Sequence, residues 1–552
     1  MINLNHQHVL VLGLGTSGLA MARWCASYGA VVTVVDNRPA PPQLSALHEV
    51  CPNVTFIQAQ MTAELLQLAS FDQVLQSPGL SPASTFGVIS AAQLQGIACG
   101  NELSLFAHAL AALKQVHGYA PAVVGITGTN GKTTVTSLTT QLVERAGKSV
   151  AMAGNIGPTL LDTLAAALNA APQAWLKTGA VLNDTLTSAV SGDSVKTDYV
   201  VGSSCAGEVD ETNDSSQPSE IDHNMPDVWV LELSSFQLSG VRNFEPTIAT
   251  VLNLTQDHLD WHQNFADYAQ AKAQIYGTTG VMLLNRNDPQ LMAALPPPVK
   301  GKQLRSYITF GNDEPSRPGD YGIETVNGMA WLVRAVVTDE TIKRRKNEET
   351  GLQIQRLMPV EALRIHGGHN ASNALAAVAL ATAAGCSLAP MLHGLREYRG
   401  EPHRVQSVGI VNGIEFFDDS KGTNVGATVA ALTGLAGSNH ERKLVVILGG
   451  EGKGQDFSPL LDPMTKFARA GVLIGRDALL IEAAVKNSGV QILHADSMAH
   501  AVTLAAQHAQ PGDAVLMSPA CASFDMFNDY EHRAHVFCEA VQALVDDAAV
   551  TL

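Results

Sequence analysis

The sequence predicts an α/β protein of three domains: a Rossmann-like N-terminal domain, a central P-loop ATPase-type α/β domain and a C-terminal Rossmann-like α/β domain. Two observations carry that reading. At three places an apolar run of strand length ends in a glycine-rich turn, the signature of parallel α/β layers. A chain of 552 residues also exceeds what one hydrophobic core organises. The expected boundaries are 1–98, 99–400 and 401–552.

The first segment, His8–Asp36, reads HVLVLGLGTSGLAMARWCASYGAVVTVVD. Its turn, GLGTSG (Gly13–Gly18), approximates the GxGxxG fingerprint, in which a helix N-terminus faces a pyrophosphate. Taken alone this fingerprint is weak. A dehydrogenase would set a ribose on Asp36, at the end of the second strand. A domain holding a nucleotide-tagged substrate would use the same turn, and it fits better, because a dehydrogenase needs no second phosphate loop and this chain has one. Gly15, Thr16, Ser17, Asp36 and Arg38 are therefore candidate substrate-nucleotide residues. Ser77, Pro78 and Gly79 follow strand-like VLQ and read equally as a further phosphate turn or an ordinary Pro-Gly turn.

The second segment, Ala122–Gly147, contains the most specific local signal, GITGTNGKTT. A buried strand delivers Gly128, Thr129, Asn130 and Gly131, and Lys132-Thr133-Thr134 starts a helix. Backbone N–H groups there face phosphates, Lys132 neutralises β/γ oxygens, and the Thr133 hydroxyl suits Mg²⁺. The spacing departs from GxxxxGK[ST], since Ile126 stands where the first glycine belongs. The following strands end in acids and histidines: VWVLELSSFQL offers Glu232, and ATVLNLTQDHLDWH offers Asp257, His258, Asp260 and His262. Ligands in such sheets bind beyond the carboxyl ends of the strands.

The third segment holds KLVVILGG (Lys443–Gly450), VLIG (Val472–Gly475) and AVLMSPA (Ala514–Ala520). Between 173 and 227 the pattern gives way to a Ser-, Thr- and Asp-rich acidic tract, expected to be a surface excursion. A shorter polar insert at Asp313–Gly319 and the charged run Asp339–Glu349 also read as loops.

Charge and composition exclude several classes. The net charge of −17 has the wrong sign for a broad nucleic-acid grip. No run of about 18 apolar residues marks a membrane span, and the N-terminal strand lacks the basic flank of a signal peptide. Seven scattered cysteines without a CxxC pair argue against a disulfide framework or zinc site. A cytoplasmic enzyme is expected.

The motifs GTNGKTT, GNIG (Gly154–Gly157), ELSSFQL, NLTQDHLDWH, GGHNASNALAA (Gly367–Ala377), EPHR (Glu401–Arg404) and DDSKGTN (Asp418–Asn424) occur in the order found in the Mur ligases. The chain resembles that family along nearly its whole length, the acidic tract and other loops excepted. GLGTSG with D-x-R resembles the uridine-nucleotide domain of the alanine- and glutamate-adding branches, and SPACASFDMFNDYEHRAHVF (Ser518–Phe537) resembles the glutamate-adding branch specifically; the DNPR motif of the diaminopimelate-adding branch is absent. The resemblance implies an ATP-dependent amide-bond ligase of peptidoglycan precursor synthesis, adding D-glutamate to UDP-N-acetylmuramoyl-L-alanine through an acyl phosphate. A sibling adding L-alanine to UDP-N-acetylmuramate explains all but the C-terminal segment, and an NAD-dependent oxidoreductase explains only the first domain.

The same resemblance assigns roles. It places one of two Mg²⁺ ions at Thr133 and Glu232, and the other at Glu232, His258 and a carbamylated Lys272; from local sequence alone Lys272 reads as a solvated helix lysine. Asn155 contacts the alanyl end of the nucleotide substrate. Asn370, Asn373, Arg404, Asp419 and Lys421 complete the ATP site, and Thr423, Lys453, Ser523 and Phe524 receive D-glutamate. Its partners are small molecules, with no nucleic acid or membrane, and a monomer is expected.

Overall fold

The computed structural model describes residues 4–172, 175, 224–258, 261–338, 351–365, 367–437 and 442–550. The predicted acidic excursion from 176 to 223, Asp260 and the charged run 339–350 lie outside these residues. The chain divides into two compact units, one drawn from 1–77, 87–121 and 159–227, the other from 78–86, 122–158 and 228–552.

The first unit carries a five-stranded parallel sheet of β1 (His8–Leu12), β2 (Val31–Asp36), β3 (Thr55–Gln58), β4 (Gln73–Gln76) and β5 (Ala98–Gly100), in the order β3-β2-β1-β4-β5. The order reverses beside β1, so a crevice opens at the end of β1, where the glycine turn leads into the helix Thr16–Ser27. Gly18 permits that turn: a Cβ there would stand 2.0 Å from the Gly13 carbonyl oxygen.

The second unit contains three sheets. β6 (Ala122–Thr127), β7 (Val150–Gly154), β8 (Val228–Glu232), β9 (Ile248–Val251), β10 (Val281–Asn285) and β11 (Tyr307–Phe310) form a parallel sheet ordered β11-β10-β9-β6-β8-β7. Register aligns Ile126 with Glu232 and Thr127 with Val251, so the phosphate loop, Glu232 and the loop after β9 emerge at one edge. Next come β12 (Tyr321–Val326), β13 (Met329–Val337) and β14 (Leu352–Pro359), an antiparallel sheet that the sequence reading did not foresee.

The last sheet comprises β15 (Gln406–Val411), β16 (Ile414–Asp418), β17 (Leu444–Gly449), β18 (Ala468–Ile474), β19 (Gln491–His494) and β20 (Ala514–Met517), ordered β15-β16-β20-β17-β18-β19. Only β15 runs antiparallel to its neighbour. Both faces are covered, which is why β17 reads as an unbroken apolar run. Leu444, Val446 and Leu448 enter one core, and Val445 and Ile447 enter the other. Among the described residues no helix is long and apolar enough to cross a membrane.

Candidate active site

The phosphate loop is held by amides. Asn253, just past β9, accepts from the Asn130 backbone N–H at 2.9 Å and donates to the Asn130 carbonyl at 3.1 Å. The Thr129 hydroxyl lies 2.9 Å from the Tyr268 hydroxyl and 3.1 Å from the Thr255 carbonyl. These contacts fix the turn before the helix Lys132–Arg145, whose N-terminus is free of acidic residues and so suited to an anion. Lys132 folds back, its Nζ donating to the carbonyls of Gly128 and Thr129 at 2.9 Å each. Burial pulls the Lys132 amine below its ordinary pKa, against the opposing pull of Glu232 and Asp257.

Beside the loop stands Glu232, 1% exposed. One carboxylate oxygen accepts from Asn155 Nδ2 at 2.8 Å; the other is buried without a hydrogen-bond partner among the described residues. A buried orphaned carboxylate oxygen is costly unless a cation meets it. Lys272 corrects the local sequence reading: it is 2% exposed, with Nζ donating to the Thr127 hydroxyl at 3.2 Å and the Gly128 carbonyl at 2.9 Å. The helix Phe265–Ala273 turns this lysine inward with Tyr268. Burial, and then the neighbouring Lys132 charge, depress its pKa well below that of a free lysine. His258, at φ +54°, packs edge-on against Phe236, and burial likewise lowers its pKa. His262 has a different task, bonding the Ser235 hydroxyl at 2.9 Å inside an aromatic cluster.

Among the described residues no group of three or more His, Cys, Asp and Glu side chains could hold a metal ion. The expected ligand set contains two such residues, Glu232 and His258, besides Thr133 and Lys272. The orphaned Glu232 oxygen fits a divalent cation. The Thr133 hydroxyl here accepts from Arg404 Nη2 at 2.8 Å.

A cavity of about 280 Å³ adjoins the loop, lined by Asn130, Gly131, Asn370, Asn373, Arg404, Asp419 and Lys421 together with His369 and Ala430. Asn370 and Asn373 share one helix face, with Asn373 Nδ2 donating to Asn370 Oδ1 at 3.2 Å. His403 and Val405, which flank Arg404, both have positive φ, at +61° and +49°. That conformation is strained for a β-branched residue and holds Arg404 toward the phosphate loop. His403 is braced through Nδ1 to the buried Asp418 carboxylate at 2.6 Å. Burial drives Asp419 up to about 7, while burial and the Arg404 charge bring Lys421 down to about 8. Lys421 Nζ sits 3.5 Å from the Tyr530 ring centroid, a cation–π contact.

Three family models match in chain order: a Mur ligase MurD-like N-terminal domain over residues 7–100, a Mur ligase middle domain over 126–381, and a Mur ligase glutamate ligase domain over 403–521. A relative from Albidiferax ferrireducens named UDP-N-acetylmuramoylalanine--D-glutamate ligase is 56% identical, covering 99% of this chain and 98% of its own. Relatives of the same name from Polaromonas and Burkholderia pseudomallei are 50% and 46% identical, covering 100% and 99% of this chain and 100% and 98% of their own. The chain belongs to the Mur ligase family. The MurF ligase of Thermotoga maritima in complex with ADP shares the fold with a TM-score of 0.51 at 13% identity, covering 98% of this chain and 96% of that one. The MurC ligase of the same organism gives 0.50 at 17%, covering 98% and 100%. The predicted three-part α/β architecture is the Mur ligase fold.

In this Mur ligase the expected amino-acid residues surround the loop ends of the C-terminal sheet. Lys453 is exposed at φ +53°, its Nζ 6.0 Å from the Phe524 ring, and Ser523 is buried. Thr423 lies on the same loop as Asp419 and Lys421. Sequence reasoning missed Arg533, which is buried and ties that loop to the next: it donates to the Ser420 hydroxyl and carbonyl at 3.0 and 2.7 Å and to the Cys521 carbonyl at 3.0 Å. It also missed Asn253, although this residue opens the NLTQDHLDWH motif at a strand end.

In the first unit Asp36 is engaged by its own neighbours. Its carboxylate accepts from the Leu14 N–H at 2.8 Å and from Arg38 N, Nε and Nη2 at 3.0, 2.9 and 2.8 Å, so both oxygens are engaged and no ribose is needed to satisfy them. Burial opposes ionisation, but these donors outweigh it and hold the carboxyl down at about 2. Gly15, Thr16, Ser17 and Ser77 gather around the same turn; Pro78, Gly79 and Asn155 belong to the other unit.

Proposed function

We propose that this Mur ligase joins D-glutamate to UDP-N-acetylmuramoyl-L-alanine with cleavage of ATP to ADP and phosphate; its full-length relatives are named UDP-N-acetylmuramoylalanine--D-glutamate ligase. In this reading the substrate carboxylate, a poor electrophile, takes the γ-phosphoryl group of ATP and releases ADP. The amine of D-glutamate then attacks the acyl phosphate carbonyl, loses a proton, and expels phosphate as the amide forms. The chemistry needs positioned cations more than a protein nucleophile. The observation that best supports it is the strand-end cluster of Lys132, the half-satisfied Glu232, His258 and the buried Lys272 at one phosphate loop.

The roles follow the chemistry of the side chains. Gly128 to Thr134 cradle the triphosphate, Asn370, Asn373, Asp419 and Lys421 hold the rest of ATP, and Arg404 turns from the Thr133 hydroxyl to a phosphate. Gly15, Thr16, Ser17, Asp36, Arg38, Ser77, Pro78 and Gly79 receive the uridine nucleotide, and Asn155 its alanyl end. Thr423, Lys453, Ser523 and Phe524 take the two carboxylates of D-glutamate, for which a cation and several donors are required. Thr133, Glu232, His258 and Lys272, the last as its carbamate, would hold two Mg²⁺ ions, which neutralise phosphate charge when bound. Residues 1–98, 99–400 and 401–552 serve as substrate, ATP and amino-acid domains of a cytoplasmic monomer.

A panel assay tests the reading. Phosphate release from ATP is expected only with UDP-N-acetylmuramoyl-L-alanine and D-glutamate together. Turnover with UDP-N-acetylmuramate and L-alanine instead would overturn it in favour of the sibling reaction.

A further inference from the structure

The phosphate loop and the loop bearing Asp419, Lys421 and Thr423 are joined by a pair of asparagines far apart in sequence. Asn130 Nδ2 donates to Asn424 Oδ1 at 3.2 Å, and Asn424 Nδ2 donates back to Asn130 Oδ1 at 3.0 Å. The two amides thus face each other as a reciprocal pair. Their orientation is fixed independently, because Asn424 Oδ1 also accepts from the Ala427 N–H at 2.9 Å, capping the helix Val425–Gly437. With that oxygen assigned, Asn130 must present its nitrogen to it. Asn424 is 5% exposed, where an unmet amide would be costly.

A second observation shows that the approach is built in. Two residues on, a Cβ at Gly426 would stand 2.9 Å from Thr255 Oγ1 and 3.3 Å from Asn130 Nδ2. A side chain at this position would force Thr255 to move and would crowd the Asn130 amide. Asn130 is in turn locked to Asn253 from behind. A continuous run of amides, Asn253–Asn130–Asn424, connects the end of β9 to the loop carrying the expected amino-acid donor Thr423.

We propose that Asn424 is a positioning residue: through its reciprocal amide pair with Asn130 it sets the register between the triphosphate loop and the amino-acid loop, so that the amine meets the acyl phosphate. This rests on the ligase reading above. Asn130 lies on the triphosphate loop itself, whereas Asn424 does not line the ATP cavity, and its effect is on the alignment of two groups bound to different loops, where small misplacement lowers turnover steeply.

The test is a double-variant cycle on the full chain with Asn130→Ala, Asn424→Ser and both together. Serine keeps a helix cap but cannot reach Asn130. Each single variant is expected to lower kcat roughly tenfold, and the double variant to be no worse than the poorer single. For Asn424→Ser, the Mg-ATP dissociation constant by calorimetry should match the parent, and kcat should stay lowered at temperatures where the variant is fully folded, which a merely structural role would not allow. Gly426→Ala, which crowds Thr255 and the Asn130 amide while leaving both asparagines in place, should reproduce the kcat loss. Multiplying single effects, a parental kcat in Asn424→Ser, or a loss of kcat that tracks a loss of thermal midpoint would each overturn the proposal. Absence of ATP-dependent ligation in the parent chain would instead overturn the ligase reading.

Discussion

Replacing Arg404 by alanine tests the electrostatics of the ATP site at two points. The guanidinium makes a single 2.8 Å hydrogen bond to Thr133 at the phosphate loop and, after burial, is the main reason that Lys421 falls to about 8. A hydrogen bond to a charged group contributes about 1.5–3 kcal/mol, so its loss from a bound phosphate should raise the KM for ATP roughly 10- to 150-fold. The pH profile supplies the second measurement. Lys421 is cationic below its pKa, so kcat/KM for ATP should fall as pH rises through about 8. Without the like charge of Arg404, Lys421 holds its proton to higher pH, and the alkaline limb should move upward. Arg404→Lys keeps the charge and loses the planar fork, so KM should still rise while the limb stays in place. Steady-state kinetics across pH 6–10 on the three proteins measure both effects. An unchanged ATP KM with an unmoved limb in Arg404→Ala would refute the reasoning.

Two further outcomes separate the remaining roles. Lys453→Ala should raise the KM for D-glutamate and leave nucleotide affinity untouched, since its ammonium stands exposed beside Phe524; unaltered D-glutamate kinetics would remove it from the pocket. Lys272→Ala should lose activity that added acetate or formate partly restores by supplying an anionic oxygen in the vacated space, while the parent protein in bicarbonate should carry the extra mass of one carboxyl group on Lys272; no rescue and no added mass would refute the carbamate.

What was legible in the sequence was mostly backbone chemistry. GITGTNGKTT announces a phosphate turn because the glycines and the Lys-Thr-Thr helix start do the same work in any parallel sheet, and the register of Ile126 with Glu232 then places the acid correctly. Lys272 was not legible from its neighbours, because a lysine in the nine-residue helix Phe265–Ala273 reads as polar surface until the fold turns it inward. The antiparallel sheet β12–β14 was missed because its strands are half-exposed and flank a charged run, which weakens their apolar signature. Asn130 and Asn424 lie 294 residues apart, a pairing no local pattern encodes. Asp36 kept its place in the motif, but its engagement by Arg38 and Leu14 is a tertiary fact.

The two lysines at the phosphate loop pose a problem that organises the rest of the site. Lys132 and Lys272 both donate to the carbonyl of Gly128 at 2.9 Å, and the Lys132 charge adds to burial in lowering the affinity of Lys272 for a proton. Two buried ammonium groups on one carbonyl repel strongly in a medium less polarisable than water. Burial and the neighbouring Lys132 charge both favour the neutral form of Lys272. A neutral amine is also the form that reacts with CO₂. The proposed carbamate would convert the repelling pair into an anion facing a cation and would add to Glu232 a second carboxylate-like ligand beside the triphosphate. The same burial that makes Lys272 a poor ammonium therefore makes it a good carbamate precursor, and the unpartnered Glu232 oxygen marks the side on which positive charge is still required.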